Sequence, residues 1–261
     1  MSDSSRPPLK RVAVLIPTYN ERENVPRIVE GVRRHAPHVD VVILDDNSPD
    51  GTGEVADAIA AKDPQVHVVH REAKAGLGAA YLHGFAWAKD QGYDAVMEMD
   101  ADGSHRPEHL PAMLAAAESA DVVIGSRWVP GGEVVNWPAI RKVISVGGNI
   151  YTKAMLGMRV NDATAGFRVY RMSALDAMGL GDVASQGYCF QIDLTRRAVR
   201  SGLKVVEVPI SFVEREIGDS KMSGDIVREA LTRITVWGVA HRGRQVRSAI
   251  DRRREPRWHT L

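Results

Sequence analysis

The chain has 261 residues, 34 Lys+Arg against 33 Asp+Glu, 44% hydrophobic and 26% charged, a balance that suits a globular chain with a full core and excludes wholesale disorder. Its single cysteine, Cys189, excludes an intrachain disulfide and an all-thiolate metal site, and fits a reducing, cytoplasmic setting. The longest uncharged stretch, 75–88, has 14 residues with three glycines, short of the roughly 20 apolar residues of a membrane span, and Met1–Lys10 lacks the apolar core of a secretory leader.

The first half alternates regularly. Val12–Ile16 is a β-rich run closed by Pro17, and Glu23–His35 follows with apolar residues at helical spacing and Pro26 near its start. Val39–Leu44 is a second strand, followed by the turn-rich run Asp45-Asp46-Asn47-Ser48-Pro49-Asp50-Gly51. Glu54–Lys62 reads as helix, Val66–His70 as strand, Leu77–Asp90 as helix, Ala95–Met99 as strand, Pro107–Ser119 as helix and Asp121–Gly125 as strand. Such alternation predicts an α/β domain, a mostly parallel sheet with helices on both faces. The second half is less regular: a Gly/Pro/Trp loop over Ser126–Pro138, a helix from Ala139, a polar link at Asn161–Arg168, a helix over Phe190–Arg200 and a strand over Lys204–Phe212. Residues 1–10 are expected to be disordered, 11–225 to form the domain, and 226–261 to add an amphipathic helix with a basic tail.

In parallel sheets ligands sit beyond the carboxyl ends of the strands. There the first strand offers Pro17-Thr18-Tyr19-Asn20-Glu21, the second Asp45-Asp46, and the fourth Asp100-Ala101-Asp102. Clustered carboxylates repel unless positive charge lies among them, and Asp-x-Asp at a strand end can aim two oxygens at one divalent ion. Alone, Asp-x-Asp reads equally well as a turn with a helix cap; its coincidence with Asp45-Asp46 favours a metal–nucleotide site. Gly51-Thr52-Gly53 lies six residues beyond its strand, which disfavours a nicotinamide fingerprint. No phosphate-binding G-x-x-x-x-G-K-[ST] exists. Gly76-Leu77-Gly78 suits a phosphate or a tight turn.

These strand-end motifs, with Lys74-Ala75-Gly76-Leu77-Gly78, resemble the inverting family-2 glycosyltransferases of GT-A fold. Gly125-Ser126-Arg127, Asp162-Ala163-Thr164-Ala165-Gly166-Phe167-Arg168, Gly187-Tyr188-Cys189-Phe190-Gln191-Ile192-Asp193, Glu207-Val208-Pro209-Ile210 and the terminal Arg215, Gly218 and Ser220-Lys221-Met222 narrow the resemblance to dolichol/polyprenol-phosphate mannosyltransferases. The resemblance implies transfer of mannose from GDP-mannose to a polyprenyl phosphate, with inversion. It implies that Pro17, Tyr19, Glu21, Asp46 and the Leu44 backbone hold the nucleoside, with Gly76 beside them, and that Asp100 and Asp102 carry Mg²⁺ or Mn²⁺. Some relatives have Gln two residues after the second Asp; Ser104 stands there in this chain. Arg127, Arg141, Arg215 and Lys221 are implied for the phosphates, with Asp162 and Asp193 orienting sugar hydroxyls or those arginines. Two rival readings are glucosyl transfer from UDP-glucose and a non-catalytic GT-A-like scaffold.

The end of the chain differs in charge. Residues 241–257 carry seven Arg against Asp251 and Glu255, a net +5, so of the formal +1 the rest of the chain carries −4. With the apolar pattern of Ile226–Ala240, this composition suits an interfacial helix on anionic lipid. Peripheral contact with the cytoplasmic face of a membrane, or docking on an integral membrane partner, is expected. No basic stripe or aromatic interleaving continues into the domain, so nucleic acid is not expected as a partner.

Overall fold

The computed structural model describes residues 6–183, 188–214, 228, 231–240 and 242. Its chain order is β1 (Val12–Thr18), α1 (Asn24–His35), β2 (Asp40–Asp45), α2 (Thr52–Ala60), β3 (Val66–His70), α3 (Leu77–Asp90), β4 (Ala95–Glu98), α4 (Leu110–Ala117) after a 3-10 turn at Pro107–His109, and β5 (Val122–Ser126). There follow β6 (Glu133–Val135), α5 (Ala139–Leu156), β7 (Arg168–Arg171), α6 (Met172–Met178), α7 (Tyr188–Arg200), β8 (Val205–Pro209) and β9 (Ser211–Val213). A further helix, α8, runs through 231–240.

Seven strands form one sheet in the order β3-β2-β1-β4-β7-β5-β8, and β6 pairs with β9 in a small second sheet. All neighbours in the large sheet are parallel except β7, which runs against both β4 and β5. The central strands are apolar on both faces, as a covered sheet requires. Val14, Ile16, Val41, Ile43 and Met97 pack with α1, α2 and α4 on one side, while Ala13, Leu15, Val42, Leu44 and Val96 pack with α3, α6 and α7 on the other. Ile234 of α8 is buried in that second layer. Gly84 lets α3 lie close on the sheet: a Cβ there would stand 2.7 Å from a Leu44 methyl.

Two departures from the sequence reading matter for the site. The polar link at 161–168 leads into a strand, β7, inserted antiparallel between β4 and β5. The expected strand 204–212 breaks at Ile210, so that β8 joins the large sheet and β9 the small one. The Gly/Pro/Trp loop also contains β6.

Candidate active site

Strands β2, β1 and β4 lie side by side and parallel, so the acidic segments after them share one edge. Pairing of β1 with β2 runs through Pro17↔Leu44 and Thr18↔Asp45, whereas pairing with β4 stops at Leu15↔Glu98. Pro17 has no N–H with which to continue the ladder, and the two strands part where the acids begin.

The two acids after β2 do different work. Asp45 is buried and accepts from the Thr18 hydroxyl (3.2 Å), the Ser48 hydroxyl (2.6 Å) and the Ser48 N–H (3.1 Å), so it shapes the turn. Asp46 is ion-paired with Arg71. Burial raises its carboxyl above the ordinary value, and the Arg71 charge only partly offsets this. Lys74 lies 4.0 Å from the centre of the Tyr19 ring. Part of the positive charge that the acidic edge requires therefore comes from the chain itself. Glu21 accepts from the Asn24 amide (2.7 Å), and its N–H donates to the Thr52 hydroxyl (3.0 Å). Asn20 and Asn47, in the loops after β1 and β2, hold φ of 60° and 55°, a left-handed backbone that Asn tolerates better than most residues. Gly76 precedes the first turn of α3 at φ 91°, which favours glycine.

The segment after β4 is held from below. The Asp100 N–H donates to His105 Nδ1 (3.0 Å), and the Tyr81 hydroxyl lies 3.5 Å from Asp100 Oδ1. His105, buried between Phe167 and Phe212, thus carries its proton on Nε2 when neutral and buttresses Asp100. Asp102 accepts from the Ser104 N–H (3.0 Å), closing a tight turn. Among the described residues no set of three His, Cys, Asp or Glu side chains forms a metal cage. A divalent ion here would rest on the hard oxygens of Asp100 and Asp102 and take its other ligands from water and substrate, as Mg²⁺ and Mn²⁺ do in nucleotide sites. The Ser104 hydroxyl, buried with no partner among the described residues, fits such a set.

Beneath Asp100, Glu98 is buried at the end of β4 with Gln191 Nε2 donating to its Oε2 (2.8 Å). Burial pushes Glu98 up to about 8, against the nearby Arg168 charge. The remaining oxygens, Glu98 Oε1 and Gln191 Oε1, have no hydrogen-bond partner among the described residues, and burial favours the protonated, neutral form of Glu98. A carboxyl raised by folding favours the folded state fully below its ordinary value near 4.5, and that stability drains away as pH rises towards about 8. Glu98→Gln, which keeps the shape and supplies a permanent donor, is expected to raise Tm by roughly 4–8 °C at pH 9 and to leave it unchanged at pH 5. Thermal melts of both proteins across that range check this.

The basic side of the site is built from β5, α5 and the loop before β7. Arg127 and Asp162, both buried, form a two-pronged ion pair: Nε to Oδ2 at 2.7 Å and Nη2 to Oδ1 at 2.6 Å, with the Arg127 N–H donating to Oδ2 at 3.0 Å. Asn149 of α5 and Thr164 add hydrogen bonds to Asp162. Burial alone would raise the Asp162 carboxyl, but Arg127 outweighs it and holds the group below the ordinary value. Glu207 accepts from the Ser126 hydroxyl and the Asn161 and Asp162 N–H groups, tying β8 to the same loop. Arg168 is fully buried and donates to Ala163 O, Ala165 O and Gln191 O. Arg141, in the first turn of α5, pairs with Glu214, and its guanidinium lies 4.0 Å from the Trp137 ring centre, against which Arg127 also rests at 5.4 Å.

Gly132 makes this arrangement possible. A Cβ there would stand 2.5 Å from the Ser126 carbonyl oxygen and 2.9 Å from Arg127 backbone atoms. Gly132→Ala is expected to lower Tm by roughly 5–10 °C, because rigid backbone rather than a side chain must yield. A thermal melt checks it.

The structure brings Pro17, Tyr19, Glu21, Leu44, Asp46, Asp100 and Asp102 to the edge formed by β1, β2 and β4, and Arg127, Arg141 and Asp162 to its basic neighbour. Asp193 lies on α7 with its carboxylate bonded to Arg196 (2.6 Å) and Arg197 (3.1 Å). Arg215 and Lys221 lie outside the described residues, as do residues 1–5, Gly187, Gly218, Ser220, Met222 and the tail beyond 242. His105, Glu98, Gln191 and Asn149 were not anticipated as supports. Of these, His105 stands three residues after Asp102 and Gln191 lies within the Gly187–Asp193 motif, whereas Glu98 and Asn149 carried no sequence signal.

The profile of Glycosyl transferase family 2 matches residues 13–179. An undecaprenyl-phosphate mannosyltransferase of Micrococcus luteus is 54% identical over 240 residues, 92% of this chain and 99% of that one. A polyprenol monophosphomannose synthase of Mycolicibacterium smegmatis is 53% identical over 245 residues, 93% of this chain and 92% of that one. Among solved structures, glucosyl-3-phosphoglycerate synthase of Mycobacterium tuberculosis with Mn²⁺, UDP-glucose and phosphoglyceric acid superposes with a TM-score of 0.67 at 19% identity, covering 88% of this chain and 80% of that one. That likeness bears on the fold and agrees with a GT-A architecture. On the sheet-edge acids, the buried arginine pair and these matches, the chain belongs to glycosyl transferase family 2, in its polyprenyl-phosphate mannosyltransferase group.

Proposed function

We propose that the chain transfers mannose from GDP-mannose to the phosphate of a polyprenyl phosphate, with inversion at the anomeric carbon. The observation that carries the reading is the meeting, at one sheet edge, of an acidic half suited to a nucleotide and an ion with a basic half built on Arg127 and Arg141. The acceptor's second pKa lies near 6, so at neutral pH it is mostly a dianion and needs no strong base. Its oxygen forms a bond to the sugar C1 while the bond from C1 to the diphosphate breaks, and the electron pair leaves with GDP. Two anions must be brought together for this, and fixed guanidinium groups lower that barrier by meeting charge where it develops.

In this reading Pro17, Tyr19, Glu21 and Asp46, with Leu44 and Gly76, hold the nucleoside, and Asp100 and Asp102 hold Mg²⁺ or Mn²⁺. The ion, when bound, neutralises diphosphate charge. Arg127 and Arg141, together with Arg215 and Lys221, hold the phosphates. Asp162 acts by fixing the Arg127 fork, and Asp193 is placed with the sugar-orienting groups by its motif alone. The two relatives named for polyprenyl-phosphate mannosyl transfer support the acceptor class. The solved structure with Mn²⁺ and UDP-glucose supports a metal–nucleotide edge. No described helix is long and apolar enough to cross a membrane, and the proposed location is peripheral, on the cytoplasmic face, where the lipid acceptor is reached from the surface.

The test is transfer of labelled mannose from GDP-mannose to a short-chain polyprenyl phosphate in detergent, with Mn²⁺, Mg²⁺ or EDTA, and with UDP-glucose as rival donor. Metal-dependent labelled lipid supports the reading. Transfer only from UDP-glucose, or binding without transfer from either donor, overturns it.

A further inference from the structure

We infer that the outer face of α5 is the surface by which the chain lies on an anionic phospholipid bilayer, with α8 alongside. This rests on the lipid acceptor proposed above, but it adds a helix inside the catalytic domain, α5, to the 226–240 segment and basic tail that the sequence pointed to. Among the described residues ten large hydrophobic side chains are exposed, five on α5 and three on α8. Those of α5 are Ile140, Val143, Ile144, Val146 and Ile150, and three of them stand more than 60% exposed. Such a concentration is unusual on a water-soluble surface, where exposed apolar groups are normally scattered.

The charge of α5 selects the occupant. Over its 18 residues the charged side chains are Arg141, which is paired with Glu214 on the site side, and the exposed Lys142 and Lys153, all basic. An apolar face with basic flanks and no acid is the composition of a helix lying in an anionic lipid interface. Protein–protein contacts of mixed charge do not call for it. The opposite face of α5 is part of the site: Asn149 bonds to Asp162, and Arg141 lies against Trp137. One helix therefore presents lipid-compatible surface outward and acceptor-side residues inward. Helix α8 is joined to it by the Tyr151–Thr235 hydroxyl bond (2.7 Å) and by close approach at Gly238, where a Cβ would stand 2.7 Å from the Met155 methyl. The tail with its net +5 follows α8 in sequence.

The test is flotation of the full chain with vesicles of phosphatidylglycerol and phosphatidylcholine, against phosphatidylcholine alone. Val143→Asp with Ile150→Asp is expected to lower binding to the anionic vesicles tenfold or more. Both positions are exposed and outside the site, so transfer to a short, water-soluble polyprenyl phosphate should continue at the parental rate. Val199→Asp, an exposed apolar position on α7, should bind vesicles as the parent does. The inference is overturned if the double variant floats as well as the parent, if the parent ignores protein-free anionic vesicles, or if the parent is a dimer in solution that the double variant dissociates. Failure of GDP-mannose transfer with the short acceptor would overturn the functional reading instead, and vesicle binding reads out independently of it.

Discussion

Asp162→Ala is expected to lower Tm by roughly 6–20 °C, the consequence of leaving the buried Arg127 charge without its counter-ion at about 3–5 kcal/mol. The carboxylate is fully buried and is bonded from the Arg127 backbone and side chain, Asn149 and Thr164. The sign with pH follows from its lowered value. The pair contributes stability above the ordinary carboxylate pKa near 3.8 and loses it as pH falls below that. The parental melt should therefore fall more steeply than the variant's between about pH 4 and pH 2. A double replacement, Arg127→Met with Asp162→Leu, separates structure from chemistry. Apolar side chains of similar volume often restore the stability of a broken buried pair, so the double variant should recover most of the lost Tm and still fail to transfer mannose. Recovery of transfer along with stability would mean that Arg127 acts as packing and not on phosphate.

Asp102→Asn should reduce transfer by roughly 10²–10⁴-fold, the scale of removing a charge that stabilises the transition state, while changing Tm by no more than about 2 °C. The amide oxygen can still accept the Ser104 N–H at 3.0 Å, so the turn survives. Steady-state transfer should show a lost kcat, and calorimetry should show GDP binding that no longer tightens on adding Mn²⁺. Parental kcat in the variant would refute a role for the acidic edge in the chemistry.

How much could be read in advance depended on whether a feature was local. The ends of β1, β2 and β4 were legible because an apolar run stops against Pro, Asp and Asn within a few residues. Helix α5 was legible from Ala139 for the same reason. Strand β7 was not: it reads Arg-Val-Tyr-Arg, and four residues bounded by arginine look like a surface link. Both arginines are buried, because backbone carbonyls from the 163–165 loop, the 117–120 turn and Gln191 O accept their protons. Nothing near Arg168 in sequence announces those acceptors. The Arg127–Asp162 pair spans 35 residues and Ser126–Glu207 spans 81, so motifs could name Arg127, Arg141 and Asp162, but which of them pair with one another emerges only from the fold. Pro209 explains the broken terminal strand: with no N–H to give, it ends β8, and Ile210 instead bonds to Ser126 O at 3.1 Å.

The reversed strand has a consequence for how the protein is made. β1, β2, β3 and β4 lie within the first hundred residues, but the partner of β4 on its other side begins at Arg168. On a ribosome adding about 5–20 residues each second, the nucleotide half emerges seconds before β7 can close its open flank. Throughout that interval β4 presents an unpaired apolar edge, the kind of surface that invites pairing with a neighbouring chain. Late arrival of one four-residue strand thus leaves that edge open until the chain has grown past Arg171. It also means that the basic half of the site, which β8 ties down through Glu207 and Ser126, is synthesised after the acidic half.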